Sequence, residues 1–558
     1  MRYNLFVIAL FVFTISSAQV IQKSTTKGTS IDSLVSSLSD MGKPGFAVGI
    51  IEDNRVTYEK YIGLSDVANL QPIDGETKFR LGGMSPHFAS YLLLDLIESG
   101  QASFNDEIKL YISDFPDYDQ DITLKDVFNH STGLPGYWPL KFISNGSSSE
   151  RYFNQIDAER FYSRKWKLNF EPGSQYQFSG IAAKLMVQII EGITKQEFSK
   201  YAEEKLFQAL AMYNTQFLIE GKDDKNLAKS YQPNSEDLSE VNHFDVGPAG
   251  LVSSMEDLLK WFIHLEKDNG IGSKVDEKAF LENGQTLESP NGYLTFGQQF
   301  IHEMRDGRYK IWDSGALGGF ASSVFRFPKE KITVIVLSNN GVSYNGFVGM
   351  QIADMLMGYP PPQPFDYNTL KFKEVSGNYL KTLEGSYFNT TSFLLRELKV
   401  TNDTLKYVRP NYGRSNTLLP LSESLFLLTS DYQEDVKLEI NKDDNEISGF
   451  KFIYEDGESI YKKYKPYLHS KTELNKFIGT YYNKNLMVVL EVFMNGEGKL
   501  VAQSKTEPPF ELKSFQKNSF LGTPIHFRKI DFSFVKNNTY LTVALHNAKH
   551  IDFVKIIP

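Results

Sequence analysis

Apolar positions recur along this chain in two rhythms, and the rhythm changes at one place. Ile31, Leu34, Val35, Leu38 and Met41 follow the spacing of one helical face. Gly45–Ile51, a polar turn at 52–55 and Val56–Tyr61 predict a hairpin. Ser322–Phe327 and Lys331–Leu337, separated by Pro328-Lys329-Glu330, predict another. Between them, Tyr91–Ile97 is apolar nearly all round, as expected for a helix inside a domain. Ile181, Leu185, Met186, Ile189, Ile190 and Ile193 form a one-sided stripe that reads as core packing. This first stretch is therefore α/β in character.

The change comes at Tyr359-Pro360-Pro361-Pro362-Gln363-Pro364, which cannot continue the helix predicted over 347–357 and makes a stiff spacer. Beyond it, short Phe- and Tyr-rich strands are broken by Asn, Asp and Gly. Gly385, Tyr387, Asn389 and Phe426 reappear as Gly479, Tyr481, Asn483 and Phe520, each 94 residues on. A constant offset over that distance predicts two all-β repeats, small barrels of lipocalin-like type or sandwiches. Neither concentrates His, Asp or Ser, so a structural or binding role is expected of them. The expected organisation is a leader at 1–18, a tail at 19–30, a large domain at 31–362, a linker at 363–380, and β-modules at 381–466 and 473–558.

Composition narrows the chemistry. The 558 residues include no cysteine, which excludes disulfide scaffolds, thiolate metal sites and a cysteine nucleophile. A net charge of −9 gives no electrostatic footprint for nucleic acid. The nine histidines lack ligand spacing, so neither metal nor cofactor is expected. Arg2, the apolar run from Leu5 to Ile15 and the small residues Ser16-Ser17-Ala18 read as an export signal cleaved before Gln19. That run is too short to span a bilayer, and no other segment is long enough. A periplasmic, secreted or surface-associated protein is expected, with a cell-envelope peptide or glycan as its partner.

Six phrases in order carry a resemblance: Lys43–Ile51, Gly75–Arg80, Asn129-His-Ser-Thr-Gly-Leu-Pro135, Phe170-Glu-Pro-Gly173, Ala249–Ser254 and Gly319–Ser323. Together they resemble the serine β-lactamases of class C type and the related penicillin-binding-protein-like hydrolases. The resemblance implies an antiparallel sheet flanked by helices, a helical lobe, and an active-site groove between them. It also implies three motifs. A Ser with a Lys one turn later opens a buried helix. A Tyr or Ser stands two residues before an Asn, and a Lys or His two residues before a Gly lies on an edge strand.

This sequence departs from each. The register puts Gly83 at the nucleophile and Pro86 at the lysine, Phe178 and Gly180 at the second motif, and Asp313 at the cation of the third, ahead of Ser314, Gly315 and Ala316. Loss of a nucleophile or its base alone costs on the order of 10⁶ in turnover. The sequence therefore predicts a pseudoenzyme that binds through a groove lined by Gly83, Phe178, Ser179, Asp313, Ser314, Gly315 and Ala316. Gly83 and Ala316 would keep the backbone donors of the oxyanion hole. A carboxylate at Asp313 would oppose an anionic ligand by about 4 kcal/mol at 4 Å. The alternative is a hydrolase with a nucleophile relocated to Ser85 or Ser179. For Ser85, a helix cap before Pro86 is the competing expectation, and for His87 a packed or solvent-facing ring.

Overall fold

The computed structural model describes residues 26–557, apart from 41, 146–160, 162, 219–223, 233–234, 240–245, 267–284, 290–291, 298–299, 306, 341–344, 360–369, 411–412, 430–435, 445, 455–456, 525, 536–537 and 546. The expected export signal and the run Pro360–Pro364 lie outside the described residues.

The first hairpin forms as strands Phe46–Glu52 and Arg55–Ile62, turning through Asp53 and Asn54 at positive φ. The second forms as Phe320–Phe327 and Ile332–Ser338. They join one eight-stranded antiparallel sheet, whose order is Arg55–Ile62, Phe46–Glu52, Ile332–Ser338, Phe320–Phe327, Arg308–Leu317, Phe300–Arg305, Gly292–Gly297 and Gln285–Ser289. Alternation along Phe46–Glu52 serves two cores. Phe46, Val48 and Ile50 pack with Val35, Val348 and Ile352 on one face. Ala47 and Ile51 join the helical lobe on the other. Gly49 is where helix Met255–Glu266 crosses the sheet, because a Cβ there would lie 2.6 Å from Met255 Sδ.

Helices depart from the periodic reading in detail. The first spans Thr26–Ser36, so it begins within the predicted tail and ends before Leu38, while Met41 lies outside the described residues. The helix Gly180–Thr194 is buried over most of its turns, beyond the predicted single stripe, because it passes through the lobe and packs against helix Pro86–Glu98. No helix among the described residues is long and apolar enough to cross a membrane.

The C-terminal region holds two closed barrels of eight antiparallel strands, the first from Gly385–Asn389 to Gly457–Tyr464, the second from Gly479–Asn483 to Ala548–Ile557. The repeated residues play the same part in both. Gly385 and Gly479 take φ of 148° and 152°, which disfavours any side chain. The Tyr387 hydroxyl donates to the Leu383 carbonyl at 2.5 Å, and Tyr481 donates to Phe477 at 2.7 Å. Phe426 and Phe520 fill the two interiors. The residues predicted as linker end in a helix, Gly377–Leu383, whose Leu380 and Leu383 close one end of the first barrel.

The second barrel lies between its neighbours in space. It meets the first through Phe515, whose ring centre is 4.8 Å from those of both Phe388 and Tyr464. On its other side it shares a continuous apolar core with the N-terminal domain.

Candidate functional site

Strand Lys78–Arg80 runs into a 3₁₀ turn, Gly82–Met84, and then into helix Pro86–Glu98. Pro86 sits at the first helical turn, where no N–H is needed. Ser85 is not the expected cap. Its φ and ψ of −60° and −39° are helical, its N–H donates to the Gly82 carbonyl at 3.0 Å, and its side chain caps nothing. The 3₁₀ turn passes directly into the helix, so the extended residue that a cap requires never occurs. Ser85 Oγ is fully buried without a hydrogen-bond partner.

The turn packs backbone to backbone on strand Arg308–Leu317. A Cβ on Gly83 would lie 2.9 Å from the Ser314 carbonyl oxygen. One on Gly315 would lie 2.0 Å from the Leu81 oxygen and 2.6 Å from the Gly83 nitrogen. Gly82, at φ 54°, faces the backbone of Ala316 in the same way. The fold thus brings together Gly83, Ser314, Gly315 and Ala316, and glycine is what permits the approach.

Asp313 does not carry the groove charge expected of it. The residue is 9% exposed and its carboxyl is turned into the domain, with Oδ1 accepting the Ser314 N–H at 2.7 Å. Oδ2 lies 3.9 Å from His87 Nδ1, beyond hydrogen-bond length. Burial pushes Asp313 well above the usual carboxylate range, outweighing the Ser314 bond. The Trp261 indole N–H donates to His87 Nε2 at 2.9 Å, which places the imidazole hydrogen on Nδ1, facing Asp313. Burial, with Arg326 nearby, brings His87 down to about 3. Burial disfavours the charged form of both groups that face each other here.

At the second motif, Phe178 is 46% exposed and lies 4.9 Å, ring to ring, from His130. The Ser179 N–H donates to His130 Nδ1 at 3.2 Å. Ser179 Oγ accepts the Ile181 N–H at 3.3 Å and so caps helix Gly180–Thr194. A side chain at Gly180 would meet Tyr137 Cβ at 3.2 Å, so Tyr137 fills the space an asparagine amide would need. Tyr176 is the side chain by which this segment reaches the third motif. Burial raises its phenol, and the adjacent Asp313 raises it further. Sequence reasoning passed over it, although a Tyr two residues before Phe178 was a visible signal.

The second barrel reaches the same neighbourhood. The Asn547 carbonyl, at the turn before strand Ala548–Ile557, accepts from the Gly136 N–H at 2.5 Å and from Asn169 Nδ2 at 3.1 Å. Asn169 Nδ2 also donates to Gln177 Oε1 at 2.7 Å, and Asn169 Oδ1 accepts the Lys549 N–H at 2.8 Å. Nothing local marks Asn547, because its role depends on how two domains dock. Among the described residues no group of three or more His, Asp or Glu could hold a metal ion.

The family model described as Beta-lactamase matches residues 31–354, and the chain belongs to that family. Protein flp of Staphylococcus aureus (strain MRSA252) is 23% identical over 310 residues, 54% of this chain and 60% of that protein. The chain thus matches somewhat under two thirds of that curated relative's length. Penicillin-binding protein 4* of Bacillus subtilis (strain 168) is 24% identical over 435 residues, 73% of this chain and 92% of that one. Among solved structures, an octameric penicillin-binding protein homologue from Pyrococcus abyssi superposes with a TM-score of 0.54 at 22% identity, over 78% of this chain and 99% of that one.

Proposed function

We propose that this chain is an exported member of the family that holds a peptide or glycan of the cell envelope beside its groove and acylates nothing. The observation that carries the reading is the carbonyl of Ser314, 2.9 Å from where a Cβ on Gly83 would stand. A serine nucleophile has no room there without backbone movement. The relocated candidates lack what acylation needs. Ser85 Oγ is buried without a base, and Ser179 Oγ is held by the helix it caps. Because Asp313 is turned inward, ligand charge is selected by whatever else borders the groove. Export rests on the leader-like N-terminus alone.

Incubation with a fluorophosphonate or a penicillin, followed by intact-mass measurement, should leave the mass unchanged. The double substitution Gly83→Ser with Pro86→Lys should also stay unlabelled and be less stable by about 1–3 kcal/mol, the usual cost of overpacking. A covalent adduct on the native chain would sink this reading.

A further inference from the structure

The two barrels repeat one design around different centres. In the second barrel Leu490 stands opposite Tyr481, Ala502 opposite Val492, and Phe553 opposite Leu541, all in an apolar interior. The same register in the first barrel holds Arg396 opposite Tyr387, Tyr407 opposite Leu398, and Tyr461 opposite Phe450. A leucine, an alanine and a phenylalanine have become an arginine and two tyrosines.

Arg396 is 7% exposed and shares its strand face with Leu394 and Leu398. Its Nε donates to the Tyr407 hydroxyl at 2.7 Å and its Nη1 to the Leu395 carbonyl at 2.8 Å. Its guanidinium centre lies 5.8 Å from the ring centres of both Tyr407 and Tyr461. Arg409, at the end of the neighbouring strand, lies 5.6 Å from the same Tyr407 ring. Among the described residues neither guanidinium has a carboxylate at ion-pair distance. Glu397 pairs with Lys399, and Glu439 and Glu458 pair with Lys451. Helix Gly377–Leu383 packs by the turn Asn402–Asp403 that joins their two strands, so both cations stand toward the end away from it.

A guanidinium withdrawn from water without a counter-anion is unfavourable, and Leu490 shows that the barrel design closes without one. Two of the five N–H hydrogens of Arg396 are spent on neutral oxygens, and the fork of Arg409 remains to be used. The Tyr407 hydroxyl accepts from Arg396 and is also hydrogen-bonded with the Tyr461 hydroxyl, so the aromatic wall is fixed in place.

We propose that Arg396 and Arg409 form an oxyanion site at the end of the first barrel away from helix Gly377–Leu383, holding the carboxylate or phosphate of a small ring-bearing acid against the flat wall of Tyr407.

Calorimetric titration of the full chain with benzoate and with phenyl phosphate tests this, with benzyl alcohol as the uncharged control. At least one oxyanion should bind one per chain, weaken as salt is added, and lose tenfold or more in affinity in Arg396→Leu and in Arg409→Gln. The first variant copies the second barrel's residue; the second lies at the rim, so a loss in both is not a folding failure. Which probe binds identifies the head group. No binding of either anion at millimolar concentration, equal binding by both variants, or equal binding of benzyl alcohol would overturn the assignment. The site is remote from the groove, so a penicillin adduct would leave it standing.

Discussion

His87 is neutral because every neighbour asks it to be. Phe88 stacks on it at 4.1 Å between ring centres, Trp261 lies parallel at 5.7 Å and donates to its Nε2, and no water reaches it. Its folded pKa of about 3 lies below its ordinary 6.5. The unfolded chain therefore binds the proton first as pH falls, and the stability present above 6.5 is lost progressively toward 3. Asp313 works in the opposite sense, since its raised value favours the folded state at low pH and that contribution fades as pH rises above its ordinary 3.8. His87→Gln keeps an acceptor for Trp261 and does not titrate. Between pH 7 and pH 4 the native chain should lose roughly 3 kcal/mol more stability than this variant, read from urea midpoints. Equal losses would show that His87 is protonated in the folded state.

Among elements, the turn carrying Asn547 joins two pieces of chain about 400 residues apart. Gly136 lets it dock, since a Cβ there would lie 2.7 Å from Asn547 Nδ2 and 3.1 Å from its carbonyl. Gly136→Ala should destabilise the chain by about 1–3 kcal/mol and raise amide exchange at Lys549, whose N–H rests on Asn169. Unchanged exchange there would mean that the turn is held from elsewhere. The same docking ties the second barrel to Gln177, one residue before Phe178, through Asn169. The second barrel therefore braces the segment that leads into Phe178.

For the whole molecule, order in space differs from order in sequence. The last barrel touches the N-terminal domain, and the first barrel hangs on the last through Phe515, Phe388 and Tyr464, with Arg528 Nη1 donating to the Ser392 carbonyl at 2.9 Å. Phe515→Ala should weaken that junction by about 2 kcal/mol through lost aromatic burial. Small-angle scattering should then report a larger radius of gyration with each barrel still folded. An unchanged radius would assign the junction to the remaining contacts.

Much of this was legible in residue order. The hairpins showed because alternation and Pro328 act locally, and the paired barrels because Gly385 and Gly479, Tyr387 and Tyr481 keep one offset. The replaced motif residues were legible too, since the identity of a side chain needs no structure. What the tertiary structure alone decided was which groups meet. Ser85 lost its cap to the preceding 3₁₀ turn, Asp313 turned inward to face His87, Gly83 met the Ser314 carbonyl, and Arg396 found no carboxylate at ion-pair distance among the described residues. Periodicity reports the face a residue occupies, while burial and charge depend on partners brought from hundreds of residues away, and those partners set the protonation and reach of this site.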